Sequence, residues 1–242
     1  MAKIYAMSDI HGHYQEFLKA LELVDLTNIE NRLFLLGDYV DNGNHSYQVL
    51  EKIQELESTY PNQVTTLLGN HDEWFYDWLI SETPISEVFV ETIKSFFSLD
   101  ELKEILSTNL DNFESAIRQE IKTNPRFSAF ITWFKEKYQE PRFVETENQI
   151  FVHAGIDEEA GIFWKEGTDP KMFTNKFPIT TGKFFKDIIS GHVGSSQIAH
   201  NEEYLGKIFF DKHNHYFIDG TVDRSKVIPV LEFDTETQTY NY

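Results

Sequence analysis

The chain has no cysteine. That excludes a disulfide scaffold and any metal site built on thiolates. It also has no apolar run long enough to span a bilayer, and its first residues lack the layout of a secretory leader, so the expectation is a soluble cytoplasmic protein that does not engage membranes. Basic residues are scarce, with 21 Lys and Arg against 40 Asp and Glu, a formal net charge of −19. A nucleic-acid surface needs a basic footprint, so DNA and RNA are not expected partners. Internal repeats and low-complexity stretches are missing too. What is abundant is aromatic, 21 Phe and 11 Tyr in 242 residues, enough to build a large core in one domain with an elaboration, 1–242.

Six residues able to ligate a metal recur in one kind of context. Asp9 and His11 follow Ile4-Tyr5-Ala6-Met7-Ser8, and Asp38 ends Leu33-Phe34-Leu35-Leu36-Gly37. Asn70 follows Val64-Thr65-Thr66-Leu67-Leu68-Gly69, His153 follows Gln149-Ile150-Phe151-Val152, and His192 follows Asp187-Ile188-Ile189-Ser190-Gly191. Each is an apolar run, then in most cases a small residue, then a donor side chain. A lone histidine at a strand end is usually structural, but six donors in this pattern describe one site gathered from several strand ends. Mixed oxygen and imidazole donors suit manganese, iron, zinc or cobalt better than a purely oxygen-seeking ion.

Periodicity places these residues. Strands are expected at 3–8, 32–37 and 64–69, with helices at 13–24 and 46–57 between them. This opening puts Asp9, Asp38 and Asn70 at the carboxyl ends of strands, where open α/β sheets bind ligands. Residues 72–138 read as helical throughout, with apolar spacing in 100–106 and 113–121 and a break at Asn124-Pro125. Short strands return at 143–145, 149–153, 187–191, 207–211, 215–219 and 227–233. The expected fold is an α/β two-sheet sandwich flanked by helices, with a helical insert or cap at 74–145. The aromatics of that insert read first as packing against the sheet, and second as a cap that sets substrate choice.

The ordered set Ser8-Asp9-Ile10-His11-Gly12, Gly37-Asp38-Tyr39-Val40-Asp41, Leu68-Gly69-Asn70-His71-Asp72, Val152-His153-Ala154-Gly155-Ile156 and Ser190-Gly191-His192 resembles the calcineurin-like metallophosphoesterases. The likeness is greatest to their bacterial phosphoprotein-phosphatase branch, which includes Ser/Thr phosphatases and symmetrical diadenosine-tetraphosphate hydrolases. It runs to about Gly220; the stretch 74–147 carries no family signature. The resemblance implies a metallophosphoesterase sandwich and two divalent ions roughly 3.5–4 Å apart, manganese first, with iron, zinc or cobalt as alternatives. It implies that Asp9, His11 and Asp38 hold one ion, that Asp38 bridges, and that Asn70, His153 and His192 complete the other. A hydroxide bridging the metals would then attack phosphorus directly. By the same resemblance His71 is the general acid, and Asp41 orients it and keeps it cationic; read on its own, Asp41 is also compatible with a simple turn.

The chain departs from the family pattern where substrate is gripped. An Arg normally follows Gly-Asp-x-x-Asp, and here Asn42 stands instead, neutral and too short for a guanidinium clamp. An Arg that follows an aliphatic–Trp pair is replaced by Lys165, a point charge rather than a fork. Arg142 is a further candidate contact for phosphate. The expected activity is hydrolysis of a phosphomonoester, either a phospho-Ser/Thr protein or a small phosphometabolite. Symmetrical dinucleoside-tetraphosphate hydrolysis is the alternative, and a metal-binding regulatory protein with weakened phosphatase activity is the rival of another class. Four other histidines, His13, His200, His213 and His215, are expected to stay off the metals.

Overall fold

The computed structural model describes residues 2–81, 89–109 and 111–242; the helix expected over 82–88 and at 110 lies outside them. Two five-stranded sheets face each other. In the first, β1 (Lys3–Met7), β2 (Arg32–Leu35) and β3 (Val64–Thr66) run parallel, and β9 (Leu231–Asp234) and β10 (Thr239–Asn241) add antiparallel, in the order β10-β9-β1-β2-β3. In the second, β5 (Gln149–Val152), β6 (Asp187–Ser190) and β8 (His215–Phe217) are parallel, flanked by β4 (Phe143–Glu145) and β7 (Phe209–Phe210), in the order β4-β5-β6-β8-β7.

The two-residue alternation of each strand builds three cores. Ala6, Phe34, Phe151, Ile189 and Leu231 point between the sheets, where Phe34 and Phe151 meet with ring centroids 4.7 Å apart. Their neighbours Tyr5, Met7, Leu33 and Leu35 face outward into a layer of helices. On the far side Ile150, Val152 and Ile188 face Trp164 and Phe173. Strands buried on both faces need continuous apolar runs, which is why those runs stood out in the sequence.

Helices α1 (Tyr14–Leu21) and α2 (Ser46–Thr59) connect the parallel strands of the first sheet. The next helix, α3, covers Asn70–Ser81, two residues earlier than expected, so the candidate ligand Asn70 is itself its first residue. The continuous helix expected to residue 138 is broken in the described residues into α4 (Val90–Phe96), α5 (Leu99–Thr108), α6 (Phe113–Thr123) and α7 (Ser128–Lys137). Ser98 starts α5 with a capping box, its side chain and that of Glu101 each binding the other's backbone N–H, a signal to stop α4 and begin anew. Helices α4, α6 and α7 bury Phe96, Ile117, Ile121, Phe130 and Phe134 in the same core as Phe75 and Trp78 of α3. The strand expected at 227–233 starts only at Leu231, after Pro229, which has no N–H for the ladder. The edge strand β10 was not anticipated; its residues are mostly exposed and polar, so no apolar alternation marks it. No helix among the described residues is long and apolar enough to cross a membrane.

Candidate metal centre

The carboxyl ends of β1, β2, β5 and β6 and the start of α3 meet at one edge of the sandwich. The backbone there is unusual. Asp9, His11, Asp38, Asp41, Asn42 and His192 all have positive φ, between 45° and 72°. Asp, Asn and His tolerate the left-handed region better than most residues, and such strain concentrates at functional sites. The turns hold one another in place: Asp9 N–H donates to Gly37 O at 3.0 Å, His11 N–H to Asp38 O at 2.9 Å, and Gly191 N–H to His153 O at 2.8 Å. Strand-to-loop glycines allow the close approach. A Cβ on Gly69 would lie 2.1 Å from Asp38 Oδ1, and one on Gly191 would lie 2.0 Å from Asp9 Oδ2.

All six candidate ligands are brought together. Asn70 Oδ1 lies 2.9 Å from both His153 Nε2 and His192 Nδ1. Asp38 Oδ2 lies 3.4 Å from His153 Nε2 and 3.6 Å from His11 Nε2, which puts Asp38 between the two histidines. His11 Nε2 is also 3.9 Å from Asp9 Oδ1. Two groups of donors lie mutually within 4.8 Å, one of His11, Asp38 and His71 and the other of Asp38, His153 and His192; Asp38 is common to both. Ring orientation is fixed from behind. His11 Nδ1 is 2.9 Å from Val40 O and His153 Nδ1 is 3.0 Å from Leu36 O. A carbonyl only accepts, so each Nδ1 carries the proton and each Nε2 faces the site.

The electrostatics of this crowd suit cations. Burial, with Asp38 alongside, pushes the Asp9 carboxyl up to about 6. Burial also opposes charge on Asp38, but His153, His11 and His71 outweigh it and hold that carboxylate well below its usual range. His153 is driven the other way: burial disfavours its charge, yet Asp38 and Asp9 raise it to about 9. Burial and the neighbouring His153 lower His192 to about 4. Buried carboxylates, an amide oxygen and ring nitrogens converging on one space need positive charge there. Divalent ions supply it, and the donor set fits them.

His71 sits on the rim. Its Nδ1 is 2.8 Å from Asp41 Oδ2, its backbone N–H donates to Asp38 Oδ1 at 3.0 Å, and its ring packs against His11 and Trp74, each with centroids 4.9 Å away. Burial works against its charged form, but Asp41, then Asp38 and Asp72, raise the imidazole above its ordinary value. Asn42 is exposed immediately after the buried Asp41.

Two expected phosphate contacts are otherwise engaged. Arg142 donates through Nε to Glu73 at 2.6 Å and through its terminal nitrogens to the carbonyls of Lys137, Tyr138 and Glu140. It braces the end of α7 against α3, and most of its fork is spent. Lys165 pairs with Glu145 on β4, opposite Ile150 near the start of β5 and so away from the end that carries His153. Of the other histidines, His13 binds Asp223 and His215 binds Asp211 and Glu158.

Sequence reasoning missed Asp72 and Asp219. Asp72 is fully buried and accepts the backbone N–H groups of Asp38, Tyr39 and Gly69 at 2.8–3.0 Å. It ties the β2 and β3 turns together beneath Asp38. The signal was available: an acid in the first turn of a helix that begins at a strand end. Asp219, just past β8, is buried beside Asp9, and the two effects push it up to about 8; an isolated Asp-Gly in a strand-to-turn context gave no hint of that neighbour.

Comparison with known proteins gives the same direction. The Calcineurin-like phosphoesterase family profile matches residues 2–222. A symmetrical bis(5'-nucleosyl)-tetraphosphatase of Nitrosospira multiformis is 39% identical over 69 residues, 28% of this chain and 24% of that protein. A protein phosphatase 2A catalytic chain of Dictyostelium discoideum is 35% identical over 69 residues, 28% of this chain and 22% of the other. The chain thus spans about a quarter of each of these curated relatives. A solved cold-active protein tyrosine phosphatase superposes with a TM-score of 0.61 at 13% identity, covering 99% of this chain and 78% of that one, which establishes a shared fold.

Proposed function

Because the chain belongs to the calcineurin-like phosphoesterases, we propose that it is a metal-dependent phosphatase that cleaves phosphomonoesters, a phospho-Ser/Thr protein or a small phosphometabolite. The observation that carries this reading is the His71–Asp41 pair, 2.8 Å apart, with His71 within 4.8 Å of the donors of His11 and Asp38. A proton donor stands beside a metal-type donor set, as ester cleavage with a poor leaving group requires.

Asp9, His11 and Asp38 would hold one divalent ion, and Asp38, Asn70, His153 and His192 a second, manganese being the first candidate. Such ions supply Lewis acidity toward phosphoryl oxygens and lower the pKa of an attacking water. The rest falls to the protein. Asp41 accepts a hydrogen bond from the Nδ1–H of His71, which keeps that proton on the ring and leaves Nε2 to give its own to the departing oxygen. Asp72 holds the turns on which Asp38 and Asn70 sit, so the donors keep their spacing. His71 and Trp74 form the side toward the leaving group, next to a cavity of about 730 Å³ that Trp74, Glu73, Asp77, Tyr138 and Arg142 help to line.

The charge around the site favours a monoester over a dinucleoside polyphosphate. Arg142 is committed to Glu73 and three carbonyls, Lys165 to Glu145, and Asn42 is neutral. A polyphosphate carries several charges beyond those the metals would neutralise, and a chain with 21 basic against 40 acidic residues offers little to offset them. Phosphate release from p-nitrophenyl phosphate, phosphopeptides, sugar phosphates and diadenosine tetraphosphate, each with added manganese, tests the reading. Monoesters should be turned over faster than the dinucleotide. The reverse ranking would favour the polyphosphatase, and metal binding without release from any ester would favour a regulatory protein.

A further inference from the structure

We propose that Thr92, on α4 of the helical segment between β3 and β4, is a positioning residue for the general acid, acting through Asp41. This inference rests on the phosphatase reading. The Thr92 hydroxyl donates to Asp41 Oδ1 at 2.6 Å and accepts the Asp41 backbone N–H at 2.8 Å, while the other carboxylate oxygen, Oδ2, holds His71 Nδ1. Thr92 and Asp41 are both fully buried. Ser46 at the start of α2 supports the pair, its Oγ lying 3.2 Å from Thr92 Oγ1 and 3.2 Å from the Asp41 N–H.

The physical reason is torsional. The last torsion of an aspartate is broad, so a carboxylate held through one oxygen can rotate about its axis. A donor on the second oxygen fixes the plane and with it the direction of the His71 ring. Threonine suits the task because its branched Cβ leaves few χ1 rotamers in a helix. The docking of α4 does not depend on this hydroxyl alone. Ser95 Oγ receives the Tyr47 N–H at 2.9 Å, and Ile93 and Phe96 are buried in the shared core. Thr92 is thus one side chain by which the stretch that bears no family signature reaches the chemistry.

Thr92→Val keeps the shape and removes the hydroxyl; Thr92→Ser restores it. With metals loaded, Thr92→Val should lower kcat about tenfold on an alkyl phosphate, the effect of one charge-assisted hydrogen bond. It should leave KM and the rate on p-nitrophenyl phosphate, whose leaving group needs no acid, near wild type. Thr92→Ser should recover most of the alkyl rate, and in an Asp41→Asn background Thr92→Val should add nothing. An equal fall on both esters, or no fall on either, would overturn the proposal. A readout independent of turnover is the His71 Nδ1–H resonance in zinc-loaded, ¹⁵N-histidine-labelled protein. It should shift or broaden in Thr92→Val and return in Thr92→Ser; a resonance unmoved by Thr92→Val would overturn the proposal whether or not the wild type hydrolyses any ester. Failure of the wild type on every ester, with the resonance shifted, would instead sink the phosphatase reading and leave the positioning role standing.

Discussion

The edge that carries the donors and the helical segment at 89–137 are built by opposite means. At the edge, polar and charged side chains are buried, the backbone is left-handed at six donor or neighbouring positions, and each turn is held by hydrogen bonds from a distant one. In the helices the backbone is ordinary and aromatic area does the work: Phe96 alone packs against Tyr47, Phe75, Phe127 and Phe130 with centroids 4.6–5.8 Å away. The first construction stores strain and buried charge to make a site. The second supplies apolar burial that can sustain such a cost. Loss of a donor from the first should remove function and spare the fold; loss of a buried aromatic from the second should do the reverse.

The largest contrast should come from His71→Asn. Turnover of an alkyl phosphate is expected to fall roughly 10²–10⁴-fold, the range for a general acid, with thermal stability and metal content near wild type. Unchanged hydrolysis of alkyl esters would remove His71 from the chemistry. Phe96→Ala should do the opposite, destabilising the fold by about 3–5 kcal/mol in urea titrations. The fraction that remains folded should bind metal normally; metal affinity falling in step with stability would mean that the two regions are not separable.

A smaller effect tests the turns themselves. Gly69→Ala places a methyl group against Asp38 Oδ1, so metal affinity should drop about 10–100-fold, as when a ligand's supporting contacts are lost. Wild-type affinity by calorimetry would show that the β3 turn can yield without moving Asp38. The smallest effect lies far from the site. His215 is buried between Glu158 and Asp211; burial disfavours its charge, but the two carboxylates outweigh it and raise its pKa. A raised folded pKa contributes stability that is fully present below the ordinary value of about 6.5 and is lost as pH rises through the folded one. The melting-temperature gap between wild type and His215→Gln should therefore be wider near about pH 6 than near about pH 9. A gap independent of pH would mean that His215 is held neutral.

The same contrast explains what could be read in advance. The donors were legible because each needs its own residue type after its own buried strand: Asp38 after Leu33–Gly37, His153 after Gln149–Val152. The strands were legible because both faces are buried. In the helical segment many aromatics would serve equally, so the pattern gave helicity but neither the stop at Ser98 nor the contact from Thr92 to Asp41, which joins residues 51 positions apart. The partners of Arg142 and Lys165 were hidden for a related reason. A basic side chain carries no sign of which acid it will meet, and Glu73 and Glu145 lie far from them along the chain. Pro229, by contrast, could have shortened the last expected strand from sequence alone.

On the proposed reading, side chains from both sheets form one two-ion site with Asp38 shared between the halves. That arrangement is tested most directly by titrating manganese into chelator-treated protein, wild type and Asp38→Asn, with calorimetric and elemental readout. Two ions per chain in the wild type, with affinity lost at both positions in Asp38→Asn, is the predicted result. One ion or none in the wild type, or a variant that binds both as tightly, would contradict it.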